Sequence, residues 1–201
     1  MSRWHERQQK DIYIKKRASM GYRSRASFKL EQLNQRYHLI KNGSVVVELG
    51  SAPGGWSQVL SRLNPRGVNI ACDLLTMDPV ARVDFIQGDF LEKSVQVKMA
   101  EILNGQQISL LLSDLAPNLT GSRVVDQARC YDLCDNVLRF GHLHLVEGGA
   151  LLIKVFHGQG FDDFLKTIRV DFKQVHVLKP DASRSESREV YILGIGFVKR
   201  N

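Results

Sequence analysis

No uninterrupted apolar run in the chain approaches the roughly 20 residues that a membrane-spanning helix needs. The first residues hold Arg3, Trp4, Glu6 and Arg7 where a secretory leader would place an apolar core, which speaks against export. Cysteine is scarce. Three in 201 residues is an odd number, and it argues for a reduced, cytoplasmic chain without a disulfide framework. Cys130 and Cys134 share a helical spacing but have no second pair near them, and His142 and His144 lack a third ligand, so no metal is expected. There is no internal repeat and no low-complexity tract. What remains is ordinary globular material, 43% hydrophobic and long enough to bury one substantial core.

Negative charge is also short, with 21 acidic against 28 basic side chains. The deficit is local. Residues 1–29 hold nine Lys/Arg (Arg3, Arg7, Lys10, Lys15, Lys16, Arg17, Arg23, Arg25 and Lys29) against Glu6 and Asp11, and the rest of the chain balances at 19 of each sign. A basic arm over residues 1–23, with Trp4, Tyr13 and Tyr22 interleaved, suits a polyanion. Phosphate neutralisation releases counterions, and aromatic rings stack on bases. RNA is the partner this favours over a solubilising tail or a transit peptide. The acids in the arm, and its direct passage into a helix, count against transit. The neutral body, residues 24–201, reads as one domain and as a monomer.

Strand and helix patterns alternate through that body. A helix over 24–40 ends at Asn42-Gly43, and Val45–Leu49 is the first strand. Val68–Cys72 runs to Asp73, Val83–Gln87 precedes Gly88-Asp89, and Ser94–Leu103 is helical. Ile108–Leu112 is strongly apolar and ends in Ser113-Asp114. A helix over about 124–146, broken near Gly141, leads to a strand at Ala150–Phe156. Then come a helix at Phe161–Val170 and strands at Gln174–Leu178 and Glu189–Val198. This order specifies a doubly wound α/β fold.

The stretch Val45-Val46-Val47-Glu48-Leu49-Gly50-Ser51-Ala52-Pro53-Gly54-Gly55-Trp56-Ser57-Gln58 organises the rest. A buried strand passes through a small-residue turn into a helix, and at such turns open α/β sheets bind nucleotides. A dinucleotide fingerprint needs G-x-G-x-x-G, whereas Ala52 and Pro53 stand here; a purely structural turn is the other reading. Asp73, about two dozen residues on, is placed to accept from ribose hydroxyls, or to cap a turn. Asp89 is placed to accept from an adenine amino group, or to cap the next helix.

Asp114 and Lys154 are harder to explain structurally. Each lies at or near the end of a strand buried on both faces, where a charge is costly unless paired. Both would emerge at the carboxyl edge beside the glycine turn. An antiparallel last strand would bring Glu189 to the same edge, and Lys29 would have to fold over from the first helix.

Glu48-Leu49-Gly50-Ser51-Ala52-Pro53-Gly54-Gly55-Trp56-Ser57-Gln58, Ser113-Asp114-Leu115-Ala116-Pro117-Asn118, Ser187-Arg188-Glu189-Val190-Tyr191 and Ser24-Arg25-Ala26-Ser27-Phe28-Lys29-Leu30 together resemble the FtsJ/RrmJ family. Members are S-adenosylmethionine-dependent ribose 2′-O-methyltransferases. The resemblance spans nearly the whole chain. It implies a Rossmann-like methyltransferase fold, a mostly parallel seven-stranded sheet whose last strand is antiparallel, with helices on both faces. It also implies a catalytic tetrad of Lys29, Asp114, Lys154 and Glu189, and cofactor contacts at Gly54, Trp56, Asp73, Asp89 and Asp114. The short chain is most similar to bacterial members that methylate a uridine of large-subunit ribosomal RNA; other members act on tRNA anticodon loops or mRNA caps. The resemblance makes Lys154 the candidate proton acceptor, with Asp114 the alternative if Lys154 stays charged. Arg184 and Arg188, flanking the tetrad glutamate, are candidates for RNA phosphate. Two other classes stay open on the residues themselves: a nicotinamide-dependent oxidoreductase on the same sheet, and an RNA-binding ribosome-assembly factor.

Overall fold

A computed structural model describes residues 18–183 and 187–199. Most of the basic arm (residues 1–17) and Arg184 lie outside the described residues. The elements in chain order are α1 (Ala26–Tyr37), β1 (Val45–Leu49), α2 (Gly55–Leu63), β2 (Val68–Asp73), β3 (Asp84–Gln87) and α3 (Lys93–Leu103). They continue with β4 (Ile108–Ser113), α4 (Arg123–His144), β5 (Leu145–Phe156), α5 (Phe161–Asp171), β6 (Phe172–Leu178) and β7 (Glu189–Phe197). The strands form one seven-stranded sheet in the order β3-β2-β1-β4-β5-β7-β6. Every neighbouring pair is parallel except the two that β7 makes, as expected of a Rossmann-like sheet with a reversed last strand.

The central strands are apolar on both sides because both faces are covered. Val46, Leu110, Leu112 and Leu152 pack with Leu30 and Leu33 of α1 and with Trp56, Val59 and Leu60 of α2. Their chain neighbours Val47, Leu111, Leu151 and Ile153 face the other way, onto Met99 of α3, Val137 of α4 and Ile168 of α5. Period-two alternation thus sends each strand into two cores, so its sequence reads as one continuous hydrophobic run. By the same parity, Lys154 lies on the α1 face with Leu152, and Glu189 and Tyr191 lie there with Leu193.

Helix ends follow local chemistry. α1 stops at His38, left-handed at φ +51°, whose N–H donates to Asn34 O at 2.8 Å. α4 differs from expectation: it is unbroken at Gly141 and passes directly into β5 at Leu145. The missing side chain at Gly141 serves packing instead, since a Cβ there would stand 3.3 Å from Leu145 and 3.4 Å from Leu111. β5 accordingly begins five residues earlier than its pattern suggested. It pairs Leu145 with Ile108, then loops out around Gly148 before resuming at Ala150 opposite Leu110.

Candidate active site

Parallel β1, β2, β3, β4 and β5 end at one edge, and antiparallel β7 begins there, with Glu189 opposite Phe156 and Tyr191 opposite Lys154. All four tetrad residues predicted from the sequence meet at this edge. Lys29 reaches over from α1 with only 8% of its surface exposed, and its Nζ lies 3.2 Å from Glu189 Oε2. Lys154, equally buried, donates to the main-chain oxygen of Asp114 at 2.7 Å and lies 3.2 Å from Asp114 Oδ1. Two ion pairs therefore stand side by side, and each lysine keeps its charge compensated in a mostly dry place.

Sequence reasoning missed the residue that joins the pairs. The Tyr191 hydroxyl donates to Asp114 Oδ1 at 2.9 Å and accepts from Lys29 Nζ at 3.4 Å, while Lys29 also sits 5.5 Å from the centre of the tyrosine ring. Burial and the Asp114 charge beside it push the phenol well above its ordinary pKa, so it is a fixed donor and not an acid. Burial alone would raise Glu189. The opposing charges of Lys29 and Lys154, with hydrogen bonds from Lys29 and Ser187, outweigh it and hold the carboxyl below its usual value.

The turn after β1 lies alongside. Gly50, at φ +81°, brings the loop so close to β4 that a Cβ would stand 2.8 Å from Leu115 N. Asp114 N donates to Leu49 O at 3.0 Å, which fixes the tetrad aspartate to the same strand end. Asp73 accepts from Ala52 N at 2.8 Å with one oxygen and from Leu75 N at 2.9 Å with the other. Asp89 accepts from Leu91 N at 2.9 Å; it shapes the turn before α3, whose N-cap is Glu92. Three carboxylates thus line the ends of β2, β3 and β4 around a glycine-rich turn, a set suited to a ligand rich in donors or carrying positive charge. Gly54 opens α2 at φ +103°. The Trp56 side chain is committed elsewhere: it is buried against Tyr191, and its Nε1 donates to Ala26 O at 2.8 Å. Any contact from Trp56 to a ligand in the turn comes from its main chain.

Glu48, quoted above only as part of a motif, is fully buried beneath this turn and accepts from Ser57 Oγ at 2.6 Å. Burial pushes its carboxyl up to about 8. The Ser57 hydrogen bond opposes the shift, and the Asp114 and Asp73 charges add to it. The folded state therefore binds a proton that the unfolded chain releases above about 4.5. Stability from this group is full below about 4.5 and falls as pH rises towards about 8. Glu48→Gln, which keeps the shape and the Ser57 contact, is expected to flatten that fall. Denaturant titrations across this pH range measure it; one buried proton sets a slope of at most about 1.4 kcal/mol per pH unit. An unchanged slope in the variant would show Glu48 ionised in the fold.

The other candidates resolve simply. Cys130 and Cys134 are buried on α4, and Cys134 Sγ contacts Lys154 O at 3.6 Å. His142 pairs with Asp171 at 2.8 Å, and His144 packs on Phe140. Arg188 is exposed, one residue before Glu189.

Comparison with known proteins agrees with this geometry. A solved structure from Plasmodium falciparum, described as a ribosomal RNA methyltransferase, superposes with a TM-score of 0.81 at 28% identity, covering 89% of this chain and 100% of that one. A protein of Lactococcus lactis described as a hemolysin shares the fold alone, at 17% identity and a TM-score of 0.59 over 89% of this chain and 90% of that one. The family model for FtsJ-like methyltransferases matches residues 22–197, from the segment before α1 to the end of β7. The chain belongs to the FtsJ-like methyltransferase family and is a methyltransferase.

Proposed function

We propose that this chain transfers a methyl group from S-adenosylmethionine to a ribose 2′-hydroxyl of RNA. The acceptor in this reading is a uridine of large-subunit ribosomal RNA in the assembled particle, and the enzyme works as a cytoplasmic monomer. One observation carries the reaction type: two lysines and two carboxylates, bridged by Tyr191, converge beside the glycine turn. The likeness to the Plasmodium protein supports ribosomal RNA as the substrate class.

The residues present fit the cofactor. Each oxygen of Asp73 holds one main-chain N–H, which leaves lone pairs for two ribose hydroxyls. Asp89 keeps one oxygen free of the Leu91 bond for an exocyclic amine. When bound, S-adenosylmethionine supplies a methyl group activated by its sulfonium.

The acceptor hydroxyl attacks poorly until its proton has a destination. Asp114 Oδ1 already accepts from the Tyr191 hydroxyl and pairs with Lys154 Nζ 3.2 Å away, so taking a proton there would weaken both contacts. In this reading the hydroxyl proton passes to Lys154 Nζ, which stands 2.7 Å from Asp114 O and 3.2 Å from Asp114 Oδ1, with Asp114 as the alternative acceptor. The resulting ammonium stays paired with Asp114. Lys29, held by Glu189 and Tyr191, is placed to orient the acceptor nucleotide.

Tritium transfer from labelled S-adenosylmethionine tests the whole reading. Total tRNA, naked large-subunit RNA and intact large subunits from cells lacking this protein would be offered separately. Label on a ribose of the large-subunit RNA, strongest in the assembled particle, is the expected result. Label in tRNA would keep the chemistry and replace the substrate. Thermal stabilisation by S-adenosylhomocysteine without label on any RNA would favour an assembly factor, and stabilisation by NAD instead would favour an oxidoreductase.

A further inference from the structure

Outside the tetrad, one side chain fastens separate parts of the cofactor rim to each other. Arg23 lies in the segment leading into α1. Its Nη1 donates to Asp78 O at 2.6 Å and to Pro53 O at 3.3 Å, and its Nη2 donates to Pro79 O at 2.8 Å. Pro53 belongs to the glycine turn between β1 and α2. Asp78 and Pro79 belong to the loop between β2 and β3, which starts immediately after Asp73. The main chain of the segment is pinned too: Gln58 of α2 accepts from Arg23 N–H at 2.8 Å and donates to Gly21 O at 3.0 Å.

These bonds begin where the sheet stops. Ladder pairing of β1 with β2 ends at Leu49 and Cys72, and that of β2 with β3 ends at Asp73 and Gln87. Beyond those points the glycine turn is tied to the end of β2 by the Gly50 and Ser51 N–H groups on Cys72 O and the Ala52 N–H on Asp73, and to the β2–β3 loop by Arg23. The fit is close: a Cβ on Gly54 would stand 2.8 Å from Arg23 Nη1 and 2.9 Å from Met77 Sδ. Met77 is buried as a plug under the same fork, whereas Leu74 and Leu75, next to Asp73, are 66% and 68% exposed. A basic residue in a basic arm reads as an RNA contact. Here its guanidinium faces carbonyl oxygens of its own chain.

We propose that Arg23 is a positioning residue for the cofactor site, clasping the β1–α2 and β2–β3 loops at a fixed separation so that the glycine turn and Asp73 form one preformed cradle. This rests on the reading of the site as one for S-adenosylmethionine. Arginine suits the task because a planar fork can serve three acceptors in two directions at once, which a lysine ammonium on a flexible stem does not reproduce. The gain is preorganisation: loops already held apart cost less to order when a ligand enters.

Arg23→Ala and Arg23→Lys separate this role from simple charge. In calorimetric titrations with S-adenosylhomocysteine, both variants are expected to bind about tenfold more weakly than the wild type, the effect of losing one or two net hydrogen bonds. The KM for S-adenosylmethionine should rise by a similar factor, with kcat at saturating cofactor within about twofold. Arg23→Lys should also bind a large-subunit RNA transcript as the wild type does. Wild-type cofactor affinity in Arg23→Lys, or in both variants, would overturn the clasp; so would a loss confined to RNA affinity. If Arg23→Ala does not fold, Arg23→Lys carries the test alone. Failure of the wild-type protein itself to bind S-adenosylhomocysteine would overturn the reading of the site, and this role with it.

Discussion

Lys154→Met is expected to lower kcat about a thousandfold at saturating cofactor, within the range spanned by losing a positioned acid–base group and equal to about 4 kcal/mol of barrier. Methionine keeps much of the stem that runs through the α1 face of the sheet, so S-adenosylhomocysteine affinity should stay within a few-fold. That control separates lost chemistry from lost folding. The hydrogen bond to Asp114 O and the ion pair with its carboxylate vanish with the amine, but Asp114 retains the Tyr191 hydroxyl and its main-chain anchor on Leu49. Lys154→Arg then tells proton acceptance from charge. A guanidinium keeps the positive charge beside a developing alkoxide but has no lone pair to take a proton. Loss of turnover in both variants fits Lys154 as the acceptor. Substantial turnover in Lys154→Arg would pass that role to Asp114, and near-normal turnover in Lys154→Met would remove Lys154 from the chemistry.

Gly50→Ala is expected to cost the fold about 3 kcal/mol or more, the largest stability effect foreseen for so small a change. Two penalties act together. A left-handed backbone strains any residue with a Cβ by about 1–3 kcal/mol. The new methyl would also stand 2.8 Å from Leu115 N and 3.0 Å from its Cα, backbone that cannot swing aside as a side chain can. For a domain of this size, that energy corresponds to a fall in melting temperature of about 6–12 °C. Calorimetry of the variant measures it. The displacement should travel to Asp114, one residue before the clash, so cofactor binding and residual activity should both fall. A melting temperature within a degree or two of wild type would mean that the β1 and β4 loops can part at no cost.

The sheet was legible because its central strands are β-branched or leucine-rich runs, and burial on both faces leaves few other arrangements for such runs. Asp114 and Lys154 stood out because a charge at the end of a buried strand demands a partner; Lys29 and Glu189 were joined to them through the resemblance to the FtsJ/RrmJ family. Other features depended on where a side chain goes once the elements pack, and local pattern does not carry that. Tyr191 sits in an apolar strand and reads as core; its hydroxyl meets Asp114 and Lys29 only after β7 inserts beside β5. Arg23 reads as one more arm charge until the β2–β3 loop folds back under it. Trp56 stands in the glycine-rich motif by sequence, yet its indole belongs to the α1–α2 core. Gly141 looked like a helix breaker because glycine propensity is a local quantity, whereas the reason for it is contact with Leu111 and Leu145.

The strand order has a consequence in time. β7 lies between β5 and β6, so those two strands have no common neighbour until residues 189–197 have been synthesised. Lys29 is made early, and its ion-pair partner Glu189 follows 160 residues later. A chain that stops short of Glu189 therefore leaves Lys29 without its carboxylate partner, however well its first five strands have assembled. Contacts so far apart in sequence also form slowly. If the proposed roles of Lys29 and Glu189 hold, the appearance of turnover during refolding would report the insertion of β7 between β5 and β6.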